Sequence, residues 1–322
     1  MDKKIKIAYL VNPDPVFFNE LDQKIIDLLE NKGAIVTKVD LNTLYIQLDS
    51  RNIEFFNNGK LLDFDAFYSY GYMRQQNKEY YQYIINSVEA ANKIVFHSFR
   101  VIQILENKLL QANAFAHAGV PIPKTFCGFY IDAVKQMYKQ NFTKNSVIKT
   151  LSDYGGDGVK LSKHPDEGVT TVSKIQWDNK ATLSQEFIDD TWGKSIRVLV
   201  INGKGYACAE YQDLSQDFRS NVSYHENFKL VSKMQDPRLK EYYNIAENAV
   251  HAIEDNILIA GVDVLDSKKH GLVVLEINCW PDLYDIQEAT QLPIFDTFID
   301  LLYKKAKSIK YNGIANGVKN GF

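Results

Sequence analysis

The run Leu272-Val273-Val274-Leu275-Glu276-Ile277-Asn278, preceded by Gly261-Val262-Asp263, constrains this chain more than any other feature. It sets an aspartate, a glutamate and an asparagine, three hard oxygen donors, on two apolar segments that read as strands. Residues two apart on an alternating strand share a face. Glu276 and Asn278 therefore point the same way, with Val274, Leu275 and Ile277 as apolar neighbours. Beside Asp263 such a pair suits Mg²⁺, which takes a few carboxylates and fills its shell with phosphate oxygens and water. A nucleotide would complete the site. The plainer alternative is a strand end whose polar residues meet solvent.

The rest of the chain bounds the setting of this cluster. With 322 residues, 45% of them hydrophobic, it can bury a large core and divide into two or three domains. A formal net charge of -3 without Lys/Arg blocks gives no electrostatic footprint for nucleic acid or an anionic membrane, and neither is expected as a partner. Met1-Asp2-Lys3-Lys4-Ile5 runs straight into a short apolar strand, and no stretch approaches the ~20 apolar residues of a membrane span, so a cytoplasmic location is expected. Cys127, Cys208 and Cys279 are odd in number, far apart and without paired zinc spacing, which fits a reducing compartment. Cys279 lies next to the acidic cluster; a nucleophile is one reading and a small buried hydrophobe the other.

Periodicity predicts strands over 5–11, 34–39, 65–70 and 94–97 and helices over 17–31 and 78–92, a small open α/β domain. A helix over 108–117 stops at Gly119, and Val120-Pro121-Ile122-Pro123 forces an extended link read as a domain boundary. Beyond it come a helix over 132–140, strands over 146–150 and 182–188, and a hairpin of strands 195–201 and 205–210 joined at Asn202-Gly203-Lys204. A helix over 237–254, strands over 258–265 and 273–278, and a helix over 294–309 follow, then a polar, glycine-rich end.

Further groups suit phosphate chemistry. Lys149 ends the apolar strand Val147-Ile148 and precedes Asp153-Tyr154-Gly155-Gly156-Asp157-Gly158-Val159. A glycine turn lets backbone N–H groups close over phosphate oxygens while a lysine adds a point charge, although a plain hairpin reads the same way. Lys108 at a helix start is a phosphate ligand or a surface lysine. Asp217-Phe218-Arg219-Ser220-Asn221 reads as an anion clamp or as a polar loop. Gln185-Glu186-Phe187-Ile188 offers backbone to a flat heterocycle with an apolar side chain to pack on it, or is an ordinary strand end.

In their order and spacing these segments resemble the ATP-grasp superfamily, specifically the RimK-type carboxylate–amine ligases, from about residue 65 to 302. Glu106-Asn107-Lys108-Leu109 looks like that family's Arg-Asp-Lys-Leu helix start, and Ala118-Gly119-Val120-Pro121-Ile122-Pro123-Lys124-Thr125 like its Ala-x-Gly-Ile-Pro-x-Pro-x-Thr link. Val147-Ile148-Lys149 with the glycine turn resembles its second ATP lysine and lid. Ser184-Gln185-Glu186-Phe187-Ile188 is similar to its adenine linker, and Ser195-Ile196-Arg197-Val198 to its Asp-Ile-Arg-Val. The loop 217–221 matches its Asp-Phe-Arg-Ser-Asn, and Asp263, Glu276 and Asn278 match its magnesium triad.

The resemblance implies an α/β (α+β) ATP-grasp fold of three lobes: an N-terminal open α/β domain over 1–105, a small central lid domain over 106–188 and a C-terminal α+β domain over 189–310, with a polar tail over 311–322. It implies ATP and two Mg²⁺ ions, with Mn²⁺ as a substitute, and metal ligands Asp263, Glu276 and Asn278. Lys108, Lys149, Gly155, Gly156, Gly158, Glu186, Phe187, Ile188 and Ser195 would bind the nucleotide. Arg219, Asn221 and Arg197 would form the catalytic set, with Arg219 on the acyl phosphate and the oxyanion that follows it. The implied reaction joins a small-molecule or peptide carboxylate to an amine through an acyl phosphate, releasing ADP and phosphate, in a homodimer or homotetramer. Side-chain crosslinking of a ribosomal precursor and a non-catalytic nucleotide sensor are the competing readings.

Departures from the family pattern gather where substrate should sit. Ser195 stands where an Asp usually meets the ribose, leaving Asp189, Asp190 or Lys194 to serve. Glu210 and Tyr211 stand where an arginine is common, and Cys279-Trp280-Pro281-Asp282 replaces Ser/Asn-Pro-Gly. Tyr68, Tyr70, Tyr72 and Arg74 replace a Pro-Arg segment. Trp280 and these tyrosines either shape an aromatic substrate pocket or are core aromatics.

Overall fold

A computed structural model describes residues 4–11, 19–70, 78–153, 156, 158–215, 217–219, 228–255 and 257–312. They pack as two units, 1–102 with 293–322 and 103–292.

In the first unit β1 (Lys6–Val11) lies between β2 (Ile35–Asp40) and the later β6 (Ala66–Tyr68), all parallel. Its four central residues are buried, as a strand covered on both faces requires. α1 (Asn19–Asn31) connects β1 to β2 and buries Ile25, Ile26 and Leu29. Gly33 at φ +95 ends the helix, its N–H donating to the Glu30 carbonyl. β3 (Leu44–Leu48), β4 (Ile53–Asn57) and β5 (Lys60–Leu61) form a separate antiparallel sheet that the sequence reading does not contain. Asn58 and Gly59 turn β4 into β5 with φ of 52° and 71°, the primed geometry that suits a right-twisted hairpin. α2 (Lys78–Ala90) leads to β7 (Ile94–Phe96), parallel to β6, and α3 (Phe99–Leu105) follows.

The second unit opens with α4 (Lys108–Ala118), capped by the Asn107 side chain on Leu109 N–H and Leu110 N–H and closed by Gly119 at φ 70. One antiparallel sheet has the order β10-β9-β11-β8, from β8 (Thr125–Phe126), β9 (Ser146–Thr150), β10 (Val159–Ser162) and β11 (Thr182–Glu186). α5 (Ile131–Asn141) and α6 (Pro165–Trp177) accompany it, with Val134, Tyr138, Phe142, Ile148, Val172 and Ile175 as their shared core. α6 is absent from the sequence reading. The larger sheet, order β14-β13-β12-β15-β16, is antiparallel throughout: β12 (Lys194–Ile201), β13 (Lys204–Asp213), β14 (Phe228–Ser232), β15 (Ile259–Ser267) and β16 (Gly271–Asn278). α7 (Leu239–His251) packs on it, and the short α8 (Tyr284–Thr290) lies against β13 and β14.

The extended link 120–123 lies inside the second unit, where the Pro121 carbonyl accepts from Val274 N–H. α9 (Ile294–Asn312) packs with α1 and β7 in the first unit. Phe298 on α9 meets the rings of Tyr68 and Tyr70 at centroid separations of 6.0 and 5.6 Å. Both tyrosines are buried, so these two are core aromatics; Tyr72 and Arg74 lie outside the described residues.

Candidate active site

Three strands of the large sheet build the centre of the site by register alone. Arg197 on β12 pairs with Asp263 on β15, and Asp263 pairs with Glu276 on β16. Directly opposed residues share a face, and Asn278 joins them two positions on. The β15–β16 pairing shifts between Asp263 and Val264: Asp263 opposes Glu276 while Val264 opposes Val274, leaving Leu275 as the extra residue of a bulge. In a regular strand Leu275 and Glu276 would face opposite ways. Both line the same cleft here, the local re-aiming that a bulge provides.

Asp263 is 1% exposed, and a carboxylate so buried needs a partner. Arg197 supplies a two-pronged bond, Nε to Oδ1 at 2.6 Å and Nη2 to Oδ2 at 2.7 Å. The Asn278 amide donates to Asp263 Oδ2 at 3.3 Å. Burial disfavours the charge on Arg197, but Asp263, Tyr211 and Glu276 together raise its pKa. Lys108 Nζ stands 3.6 Å from Glu276 Oε2 and donates to the Asp153 carbonyl at 2.6 Å. Burial lowers the pKa of Lys149, with the charge of Lys108 adding to it and Glu276 and Asp263 opposing. Burial works to raise the pKa of Glu276, yet Lys108, Lys149 and Arg197 outweigh it and hold the carboxyl below its ordinary value. Lys108, Lys149 and Arg197 thus face Asp263 and Glu276, a balance that favours an incoming polyanion.

These groups border one cleft, with apolar walls and a few convergent polar groups as a small-ligand site requires. Val147, Val159, Leu265 and Leu275 give it apolar walls, while Lys108, Lys149, Glu276 and Arg219 are among its charged groups. Gln185, Glu186, Phe187 and Ile188 form another side, with Glu186 N–H held by the Lys124 carbonyl at 2.9 Å. Phe187 meets Trp192 and Phe218 edge-on, with centroids 5.7 and 6.0 Å away, and Trp192 meets Phe218 at 6.2 Å. Sequence reasoning missed Trp192, and it missed Phe218 as a wall residue; nothing in either local pattern tells that a Phe and a Trp from separate turns converge.

The glycine turn has a packing reason. Gly158 sits at φ +72, and a Cβ there would lie 2.0 Å from Thr150 Oγ1 and 2.8 Å from Asp153 Oδ2. Thr150 donates to that Asp153 oxygen at 2.8 Å, and Lys180 reaches it at 3.1 Å. Gly156, at φ 80, offers its carbonyl to Arg219 Nη1 at 2.9 Å, while Asp217 grips the same guanidinium through Nε and Nη2. Gly155 and Asn221 lie outside the described residues.

Ser195 is buried on β12 opposite Tyr211 and does not line the cleft, whereas Lys194 does. Asp190 accepts from Ser267 Oγ and from Lys268 and Lys269 N–H, and Asp189 pairs with Lys269, so both are engaged at the β15–β16 turn. Cys279 is buried; Trp280 is half-buried beside it.

The donor set suits Mg²⁺: two carboxylates and a carboxamide, all hard oxygens, on one sheet face beside lysines that suit phosphate. Arg197 takes one lone pair on each Asp263 oxygen, and the Asn278 amide takes the second on Oδ2. Among the described residues no group of three or more His, Cys, Asp or Glu could hold a metal, so this set is short of a full protein cage.

A family model described as RimK-like ATP-grasp domain matches residues 105–302, more than half of the chain. A protein described as a probable alpha-L-glutamate ligase from Legionella pneumophila (strain Corby) is 29% identical over 229 residues, covering 71% of this chain and 73% of that protein. Another of the same description from Trichodesmium erythraeum (strain IMS101) is 26% identical over 302 residues, 93% of this chain and 96% of that one. Among solved structures, the ATP-grasp ligase PsnB complexed with a phosphomimetic variant of minimal precursor, Mg and ADP superposes with a TM-score of 0.64 at 14% identity, over 94% of this chain and 99% of that chain. At that identity the likeness is one of fold.

Proposed function

The chain belongs to the RimK-like ATP-grasp family and is an enzyme of the ligase class, and from that premise we propose that it joins a carboxylate to an amine with cleavage of ATP to ADP and phosphate. The observation that carries this reading is the convergence of Lys108, Lys149, Glu276 and Arg219 on one cleft. A simple nucleotide-binding module has no need of a clamped arginine facing the phosphate lysines. ATP would lie with its base along 185–188 and its phosphates toward Lys108 and Lys149. Asp263, Glu276 and Asn278 would hold Mg²⁺, which supplies charge neutralisation on the phosphates.

The donor carboxylate oxygen attacks the terminal phosphorus and the bond to ADP breaks, giving an acyl phosphate. The amine nitrogen then attacks the acyl carbon, phosphate leaves with its bonding pair, and the amine proton passes to solvent. Lys108 and Lys149 keep the phosphates in line, and Arg219 neutralises charge on the acyl phosphate and on the oxyanion that follows. Release of Arg219 from Asp217 and the Gly156 carbonyl would free its donors for that task. Arg197 keeps Asp263 aimed through its two-pronged bond. Relatives described as alpha-L-glutamate ligases make L-glutamate the first donor or acceptor to try, and three free cysteines suit a cytoplasmic setting.

The test is Mg²⁺-dependent release of ADP and phosphate with pools of amino acids and short peptides, with mass spectrometry of each positive pool. ADP release that needs both a carboxylate and an amine, with a product lighter than their sum by one water, is the expected result. ADP release that needs only one partner, or none, would sink the ligase reading.

A further inference from the structure

β16 is the edge strand of the large sheet, and the main-chain groups of Ile277 point away from β15. An edge leaves such groups to water or to another partner. Gln111 fills that role from α4. Its Oε1 accepts from Ile277 N–H at 2.7 Å, and its Nε2 donates to the Ile277 carbonyl at 3.0 Å and to the Leu105 carbonyl at 2.6 Å. The side chain is 3% exposed, and the amide orientation is dictated by its surroundings, two carbonyls on one side and one N–H on the other.

The Ile277 N–H belongs to the peptide plane shared with Glu276, and its carbonyl to the plane shared with Asn278. One carboxamide therefore grips both peptide planes that carry the last two members of the oxygen triad. Gln111 also stands three residues after Lys108, on the same face of α4. The bond to Ile277 thus holds the helix that brings Lys108 to 3.6 Å from Glu276. We propose that Gln111 is a positioning residue for metal binding, setting Glu276 and Asn278 against each other and against Lys108; this rests on the metal role given to the triad above. Gln111 itself does not line the cleft.

The experiment is calorimetric titration of ADP into the full chain with and without Mg²⁺, for the unsubstituted protein and for Gln111→Glu and Gln111→Met. The first variant keeps the acceptor for Ile277 N–H but loses both donor bonds; the second keeps volume and loses all three. Both are expected to lose tenfold or more of the affinity that Mg²⁺ adds, with a smaller, at most several-fold loss of Mg²⁺-free ADP affinity through Lys108, a split that general loosening of the fold does not produce. Retention of the Mg²⁺ increment, equal losses with and without Mg²⁺, or collapse of the thermal transition in both variants would overturn the proposal. Glu276→Gln separates the two readings. Loss of the increment in Glu276→Gln but not in the Gln111 variants sinks only the positioning role, whereas its retention in Glu276→Gln removes the metal site on which that role depends.

Discussion

Asp263 and Arg197 show how much of the site rests on single contacts. Breaking a buried pair strands a charge and costs about 3–5 kcal/mol, so Arg197→Met should lower the urea midpoint sharply, and Arg197→Met with Asp263→Leu should recover much of the loss. Equal destabilisation in the single and double variants would mean that Asp263 has other adequate partners. At Gly158 a methyl group meets Thr150 Oγ1 at 2.0 Å in a left-handed backbone. Gly158→Ala should therefore cost about 1–3 kcal/mol in strain and weaken ATP binding several-fold, read by calorimetry; unchanged affinity would show that the Thr150–Asp153 arrangement is dispensable. Much of this was legible in the sequence, because the charged residues stand in fixed order around strand ends. Gln111 was not: a polar residue that follows Leu109 and Leu110 on a helix gives no sign that its partner is 166 positions away.

Elements were legible where one face is buried and the other is not. α1, α5 and α7 alternate at helical period and match their predicted spans to within a few residues at each end. The β3–β5 sheet escaped because the apolar Tyr45 and Leu48 occupy exposed positions of β3, which blurs the two-residue contrast in the sequence, although Asn58-Gly59 marks its second turn. α6 escaped because Gly168 and the β-branched run Val169-Thr170-Thr171-Val172 argue against a helix, and packing overrides that weak preference. Gly168 is what permits the packing, since a Cβ there would lie 2.2 Å from Tyr138 Cε1. Ala normally gains about 1 kcal/mol over Gly inside a helix. Gly168→Ala should instead lose about 1–3 kcal/mol from overpacking, seen as a lower thermal midpoint. A raised midpoint would show that α5 and α6 can separate freely.

At the scale of the whole molecule, the two units should answer different challenges. His97 is 6% exposed in the first unit, and burial, with the charge of Lys305 adding to it, brings its imidazole down to about 4. In the unfolded chain a histidine titrates near 6.5. Between these values the unfolded state binds the extra proton, so stability is full above about 6.5 and falls as pH drops toward 4, by up to about 3 kcal/mol. Amide exchange in the first unit should therefore accelerate over that interval, and His97→Gln should flatten the response relative to the parent chain. The cleft proposed for the nucleotide is lined wholly by residues of 103–292. ADP with Mg²⁺ at a hundred times its dissociation constant should stabilise that unit by about 2.7 kcal/mol through mass action. Exchange mass spectrometry at pH 7.5 and pH 5 with and without ADP and Mg²⁺ reads both effects at once. Peptides from β9, β12, β15 and β16 should gain protection from ligand, and peptides around β7 and α9 should carry the acid sensitivity that His97→Gln removes. An acid response that survives in His97→Gln would assign it to carboxylates instead, and ligand protection confined to the first unit would move the nucleotide away from the cleft.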